Sequence, residues 1–297
     1  MRRPKLAAKP LVRLFLTGTL LGVSLLPIQS QEVGKSSIPN RDELIRVIYM
    51  SYLPMRDFMT KDMWETLRGE AQRLEGQDPK DQKVQMLALL IDGELSRMGK
   101  RLDLAHSKFL QASNAAPQDS LPFLGLAETV LDQGQTDQAT TMLFIAESQV
   151  SKSVPANFQH SCHSRIGELY ERAGKFTRAV KAYELAVAKN PNWGQGQRTL
   201  ARVYIAVNEP AKAFDHVQKA IVVEPKEPLN YFLLGEAQHG LGRSGLAIRA
   251  FQKALELDPG NPLYHYSLGL EYEGQGDKIQ ALRSYLTAQN LAQHANF

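Results

Sequence analysis

Three side chains able to bind a metal or act as nucleophiles fall within four residues: His160, Cys162 and His163. Imidazole nitrogens and a thiolate suit a soft metal. Their spacing works against them. Neighbouring helical positions point about 100° apart, so at most two of the three can converge. Cys162 is also the sole cysteine, which leaves no second thiolate to complete a tetrahedron and rules out an intramolecular disulfide. A second signature, Gly240-Leu241-Gly242-Arg243-Ser244-Gly245, satisfies the G-x-G-x-x-G dinucleotide fingerprint. That fingerprint works only when a strand precedes it and a helix N-terminus faces the pyrophosphate. Here helical patterning lies on both sides, so the glycines are expected in a turn between two helices. The other histidines (His106, His216, His239, His265, His294) are scattered. No Ser/His/Asp arrangement, H-E-x-x-H, phosphate-binding loop or G-x-S-x-G elbow occurs. The expectation is a protein that is not an enzyme and carries no cofactor or metal.

The formal net charge of +4 over 297 residues raises the question of nucleic acid, but the excess is local. Arg2, Arg3, Lys5, Lys9 and Arg13 account for five of the 35 basic side chains and no acid lies in 1–30, so the remainder holds 30 basic against 31 acidic groups, a formal −1. No nucleic-acid partner is expected of such a chain. The basic cluster runs into an uncharged apolar stretch, 14–26 (LFLTGTLLGVSLL), then Pro27. A charged start followed by a short apolar run reads as a secretory signal peptide over 1–30. The apolar run is shorter than the roughly 20 residues that cross a bilayer. Cleavage after Ser30 is expected. The alternative left open is retention as an N-terminal anchor, the only case in which a membrane is a partner. Export places the chain in the periplasm or cell envelope.

The elements that would position any site show up as a 34-residue self-similarity from residue 86 onward. Six units follow, 86–119, 120–153, 160–193, 194–227, 228–261 and 262–295, with an insertion at 154–159. Positions 8, 20 and 27 of every unit are Gly or Ala: Gly93, Ala105 and Ala112; Ala127, Ala139 and Ala146; Gly167, Ala179 and Ala186; Ala201, Ala213 and Ala220; Gly235, Ala247 and Ala254; Gly269, Ala281 and Ala288. Tyr170, Tyr204 and Tyr272 stand at position 11, and Phe109, Tyr183, Phe251 and Tyr285 at position 24. Pro117, Pro191, Pro225 and Pro259 at position 32 end helices. Gly134, Gly174, Gly242 and Gly276 at position 15, with Asn208 once, mark an inner turn. Ser151 replaces the proline before the insertion, which suggests a looser junction. Residues 41–85 are helical in character and read as a degenerate N-terminal capping unit, with Leu67, Ala71, Leu74 and Pro79 echoing the pattern; 31–40 reads as a flexible leader.

On these residues the chain resembles the tetratricopeptide repeat family. The resemblance implies an all-α, right-handed superhelical solenoid of helix-turn-helix units. In such proteins the first helices line a concave groove through positions 2, 5, 9 and 12. Carried over, these positions present Ser164, Glu168 and Glu171; Gln195, Arg198 and Arg202; Leu229, Phe232, Glu236 and His239; Leu263, Tyr266, Leu270 and Glu273. Chaperone-binding members hold a carboxylate with Lys and Asn at set positions; here Ser164, Glu168, Thr199, Leu229 and Leu233 stand there, so that clamp is absent. The expected binding residues are Arg198, Arg202, Phe232, Glu236, Tyr266 and Glu168. They would suit a peptide with apolar anchors and an acidic group. The resulting expectation is an envelope scaffold or adaptor that holds a protein partner, in an assembly such as a secretion, pilus or polysaccharide machine. Self-association through the last unit is the first alternative, because Ile279, Leu282, Leu286 and Leu291 lack a polar capping helix, and a metal-binding protein or enzyme centred on His160, Cys162 and His163 is the second.

Overall fold

The structure, a computed structural model, describes residues 40–294. The expected signal peptide (1–30) and, apart from Asn40, the leader (31–40) lie outside the described residues. Among the described residues there are fourteen α-helices, two short 3₁₀ turns and no strand. No described helix is long and apolar enough to cross a membrane.

Two compact units divide the chain, the first ending at Ala173 and the second beginning at Gly174. The first holds α1 (Arg41–Tyr52), α2 (Lys61–Gln77), α3 (Gln82–Met98), α4 (Leu102–Ala115), α5 (Ser120–Asp132), α6 (Thr136–Ser153) and α7 (Gln159–Arg172). The second holds α8 (Phe176–Lys189), α9 (Gly194–Ala206), α10 (Pro210–Val223), α11 (Pro228–Gly240), α12 (Ser244–Leu257), α13 (Pro262–Gly274) and α14 (Lys278–His294). The hairpins α3/α4 and α5/α6 stack on one another in the first unit, and α9/α10, α11/α12 and α13/α14 do so in the second.

Helix starts follow capping chemistry. The carboxylates of Asp81 and Asp119 accept backbone N–H bonds from the first turns of α3 and α5, and Asn261 does the same for α13. Pro210, Pro228 and Pro262 open α10, α11 and α13, where no N–H is needed. Each inner turn needs one left-handed residue. Gly134, Gly174, Gly242 and Gly276 have φ between 70° and 81°, and Asn208 has 59°. The first repeat meets the same need with Lys100, at φ 57°, a residue type that does not announce the turn.

All eighteen small residues at positions 8, 20 and 27 are buried. At position 8 the reason is a volume exchange within the hairpin, seen at three glycines. A Cβ placed on Gly93 would come within 2.5 Å of the Phe109 ring, one on Gly235 within 2.3 Å of Phe251, and one on Gly269 within 2.6 Å of Tyr285. Where position 8 is alanine, position 24 shrinks from an aromatic to an aliphatic residue, as in the pairs Ala127/Leu143 and Ala201/Val217. Close packing demands that the pair conserve volume.

The N-terminal segment is a substantial part of the core. Tyr49, Tyr52, Met63 and Trp64 are among the largest fully buried side chains. The looser junction suggested by Ser151 is not what the structure shows. Helix α6 continues to Ser153, whose carbonyl accepts from Tyr49 Oη at 2.9 Å and whose Oγ accepts from the Ser120 N–H at 3.0 Å. Phe158 stacks on Tyr49 at 6.1 Å between ring centroids. Without a proline, the helix simply runs on until Pro155 stops it, and the Tyr49 side chain of α1 and the Ser120 backbone N–H of α5 hold its end.

Candidate functional site

The six expected groove residues are not equivalent once folded. On α11, Phe232 is buried rather than open to a ligand: the Tyr264 ring of α13 stacks on it at 5.0 Å and 26°, and Phe251 lies 5.7 Å away. Its position-5 counterpart one repeat later, Tyr266, is 50% exposed, with no helix over it among the described residues. Arg198 on α9 is tied down. It forms an ion pair with Glu224, and its Nη1 donates to Asn230 Oδ1 at 3.2 Å. Asn230 is fully buried and donates in turn to the carbonyls of Ala220 and Glu224, so Arg198 helps clip α11 to the end of α10. Arg202, four residues on, is exposed. Glu236 is half-buried; burial raises its carboxyl above the usual carboxylate range, against a hydrogen bond with Ser267 that pulls the other way. Glu168, in the first unit, is half-exposed and accepts from Arg165 Nη1 at 2.6 Å.

In the second unit one open apolar surface lies on the last hairpin. Leu263, Tyr266 and Leu270 form one row along α13, with exposures of 50%, 50% and 45%. Together with Tyr285 and Ala288 of α14 they line an apolar cradle of about 660 Å³. The Tyr266 and Tyr285 rings sit 5.6 Å apart, and Tyr285 Oη donates to Glu273 at 2.6 Å, which marks the polar rim.

A second cavity, of about 320 Å³, lies in the first unit and was not foreseen. Arg56, Arg97, Arg165 and Arg172 line it together with Glu94, Glu128 and Trp64. Arg56 grips Glu94 with two nitrogens, at 3.2 and 3.0 Å, and reaches Glu128 at 2.5 Å. Arg165 Nη2 donates to Glu128 at 2.7 Å, and Arg97 bridges Glu94, Glu128 and Asp132 at 3.2–3.3 Å. Burial alone would raise the Glu128 carboxyl. The guanidiniums of Arg56, Arg165 and Arg97 outweigh it and hold the group down at about 2. A signal was present in the sequence, because Glu94, Glu128 and Glu168 occupy position 9 of three successive units. Arg56 lies outside the repeat, so periodicity could not reach it.

The residues first considered for metal chemistry do not meet. Cys162 is fully buried with its Sγ 3.7 Å from Ser120 Oγ, and burial pushes the thiol up to about 12 although that contact pulls it down. Half-buried His160 has its Nε2 3.2 Å from Ser161 Oγ. Among the described residues no group of three or more His, Cys, Asp or Glu is placed to hold a metal ion. Gly240 ends α11 and Gly242 forms the turn to α12, a helix-to-helix connection with no strand before it.

Stacked helix hairpins with small residues at their closest approaches define an α-helical repeat protein. Residues 50–203 match the family described as tetratricopeptide repeat-like domain, and residues 243–276 match a TPR repeat. The first match spans just over half of the chain, and the chain belongs to the tetratricopeptide repeat family. Among solved structures it is similar to MamA 41-end from Desulfovibrio magneticus RS-1, at 20% identity over 59% of this chain and 96% of that one, with a TM-score of 0.50. Another crystal structure of MamA aligns at 23% identity over 58% of this chain and 98% of that one, TM-score 0.49. YrrB, described as a TPR protein with an unusual peptide-binding site, aligns at 20% identity over 63% and 97%, TM-score 0.47. At these identities the likeness is one of fold. No curated protein matches the chain.

Proposed function

We propose that this chain is a non-catalytic protein-interaction scaffold whose working surface is the apolar row of α13 and the cradle beside it. The observation that carries this reading is the half-exposed row Leu263, Tyr266 and Leu270, three large apolar side chains on one helix face next to a 660 Å³ concavity. An aromatic anchor in a concave apolar site is where binding energy concentrates. A photo-crosslinking residue in place of Leu263, in the full chain within its own cells, is expected to trap a protein adduct. The same probe at Leu110, exposed on α4, serves as the control. Equal trapping at the two positions would count against the row as the working surface.

The basic start followed by the apolar stretch supports export to the periplasm or cell envelope, with removal of 1–30. N-terminal sequencing of the mature protein is expected to begin at Gln31; an intact Met1 on a membrane-bound chain points instead to an anchor. A second reading rests on the charged cavity. Glu168 is a half-exposed carboxylate on the buried Arg165, and an acidic group from a partner could replace it there. An acidic hexapeptide whose binding, measured by calorimetry, is indifferent to Arg172→Ala would remove that reading.

A further inference from the structure

The last cradle is a copy of a surface that is already filled one repeat earlier. Shifting by 34 residues carries Leu263 onto Leu229, Tyr266 onto Phe232, Tyr285 onto Phe251 and Ala288 onto Ala254. Helix α13 lies on the earlier set. Its Tyr264 stacks on Phe232, and its Leu268 belongs to the same buried cluster as Phe232, Phe251 and Ala254. The two surfaces differ chiefly in what covers them: Phe232 is 8% exposed against 50% for Tyr266, and Ile248 is 9% exposed against 59% for its counterpart Leu282.

We infer that the α13/α14 cradle receives one amphipathic helix of a partner protein, carrying an aromatic residue followed four positions later by an aliphatic one, and that this helix continues the repeat stack. The inference rests on the reading of this cradle as the working surface and adds the shape and chemistry of its occupant. Continuity with the α11/α12–α13 interface is the argument. A face that already packs α13 through a tyrosine and a leucine at i and i+4 is repeated on α13 and α14 with its apolar side chains exposed.

Two differences between the surfaces set specificity. Ser267 of α13 meets the Glu236 carboxyl, but Leu270 stands in the place of Glu236, so the incoming helix carries an apolar residue there. Glu271 of α13 accepts from Ser244 Oγ at 2.5 Å and pairs with His239; their counterparts are Lys278 and Glu273, so a neutral amide, which accepts from the lysine and donates to the glutamate, suits the incoming helix at that point better than a carboxylate. A second copy of this chain is the poorer fit. Its own Tyr264 and Leu268 are buried in its own stack, and the exposed pair it has at that spacing on α13, Tyr266 and Leu270, is the floor of the same cradle, so two copies would set floor against floor instead of supplying the tyrosine-and-leucine cover that packs on Phe232.

The probe is a helix-stapled peptide of the α13 sequence, Pro262–Gly274, with Ser267→Leu and Glu271→Gln, titrated into the full chain by fluorescence anisotropy. Saturable one-to-one binding is expected, weakened about tenfold or more by Tyr266→Ala and by Leu270→Glu in the chain, with a scrambled peptide silent. Circular dichroism checks that each variant keeps its helices, and Leu282→Glu serves as a replacement should Tyr266→Ala unfold. Absence of saturable binding, or binding unmoved by these substitutions, overturns the inference. So does a dimer in sedimentation that Leu270→Glu dissolves while the peptide fails to bind, since the occupant is then a second copy. In either case an adduct trapped at position 263 would leave the broader interaction role standing.

Discussion

The exchange of volume between positions 8 and 24 can be tested as a double-mutant cycle at Gly235 and Phe251. Gly235→Ala alone combines two opposed effects. A helix interior gains about 0.8–1 kcal/mol when glycine becomes alanine. The new Cβ, however, would sit 2.3, 2.5 and 2.7 Å from three atoms of the Phe251 ring. Carbon atoms prefer about 3.5–4.0 Å, so the ring would have to move by about 1 Å or more. Phe232 lies against it, 5.7 Å away between centroids, and leaves it little room. Overpacking of this kind costs about 1–3 kcal/mol, so the single substitution is expected to destabilise by up to about 2 kcal/mol. With Phe251→Leu already in place the ring is gone, and the alanine reproduces the Ala127/Leu143 pair of the second repeat. There Gly235→Ala should stabilise by up to about 1 kcal/mol. The expected coupling is therefore about 1–3 kcal/mol. Because stability in a repeat array is not uniform, native-state hydrogen exchange of α11 and α12 amides is the appropriate assay. Gly69→Ala on α2, where an added Cβ would meet nothing within 4 Å, serves as control and should show only the gain of about 1 kcal/mol. The reasoning fails if Gly235→Ala has the same effect, within about 0.5 kcal/mol, with and without the Phe251 ring.

Three further outcomes follow from the same structure. Lys100→Gly should stabilise the α3/α4 hairpin by about 0.5–1 kcal/mol, since a lysine at φ 57° carries a steric cost that glycine escapes; urea unfolding with a lower midpoint would contradict this. Glu128 is held below its ordinary value in the folded state, so the stability it contributes is complete above about pH 4.5 and is lost as the pH falls toward about 2. Urea unfolding midpoints should accordingly show wild type exceeding Glu128→Gln near neutrality, with the gap closing through that acid window; a gap that widens toward acid reverses the sign and the argument. Cys162, fully buried with its thiol pushed up to about 12, should resist iodoacetamide at pH 8 until the chain is unfolded in urea, as read by mass spectrometry; rapid labelling of the folded protein would refute the assignment.

The repeat itself was legible in the sequence because its constraints are local and steric. Two helices that approach closely admit only small side chains at fixed positions, and the 34-residue spacing of Gly and Ala therefore reveals the hairpins. Glycines at the inner turns are legible for a related reason, since a left-handed residue is needed there; Lys100 escaped notice because register, and not residue type, put it in that conformation. Residue type also left open which groove positions face solvent. Phe232 and Tyr266 are both aromatic and both at position 5, yet one is core and the other surface, because burial depends on whether a following helix lies over the face. Likewise the charged cavity joins Arg56, which precedes the repeats, to Glu94 and Glu128 inside them. Sequence by itself determined the class of helix pair and its period. Tertiary structure decided which side chains remain open, since burial depends on whether another helix lies over the face and not on the residue type at that position.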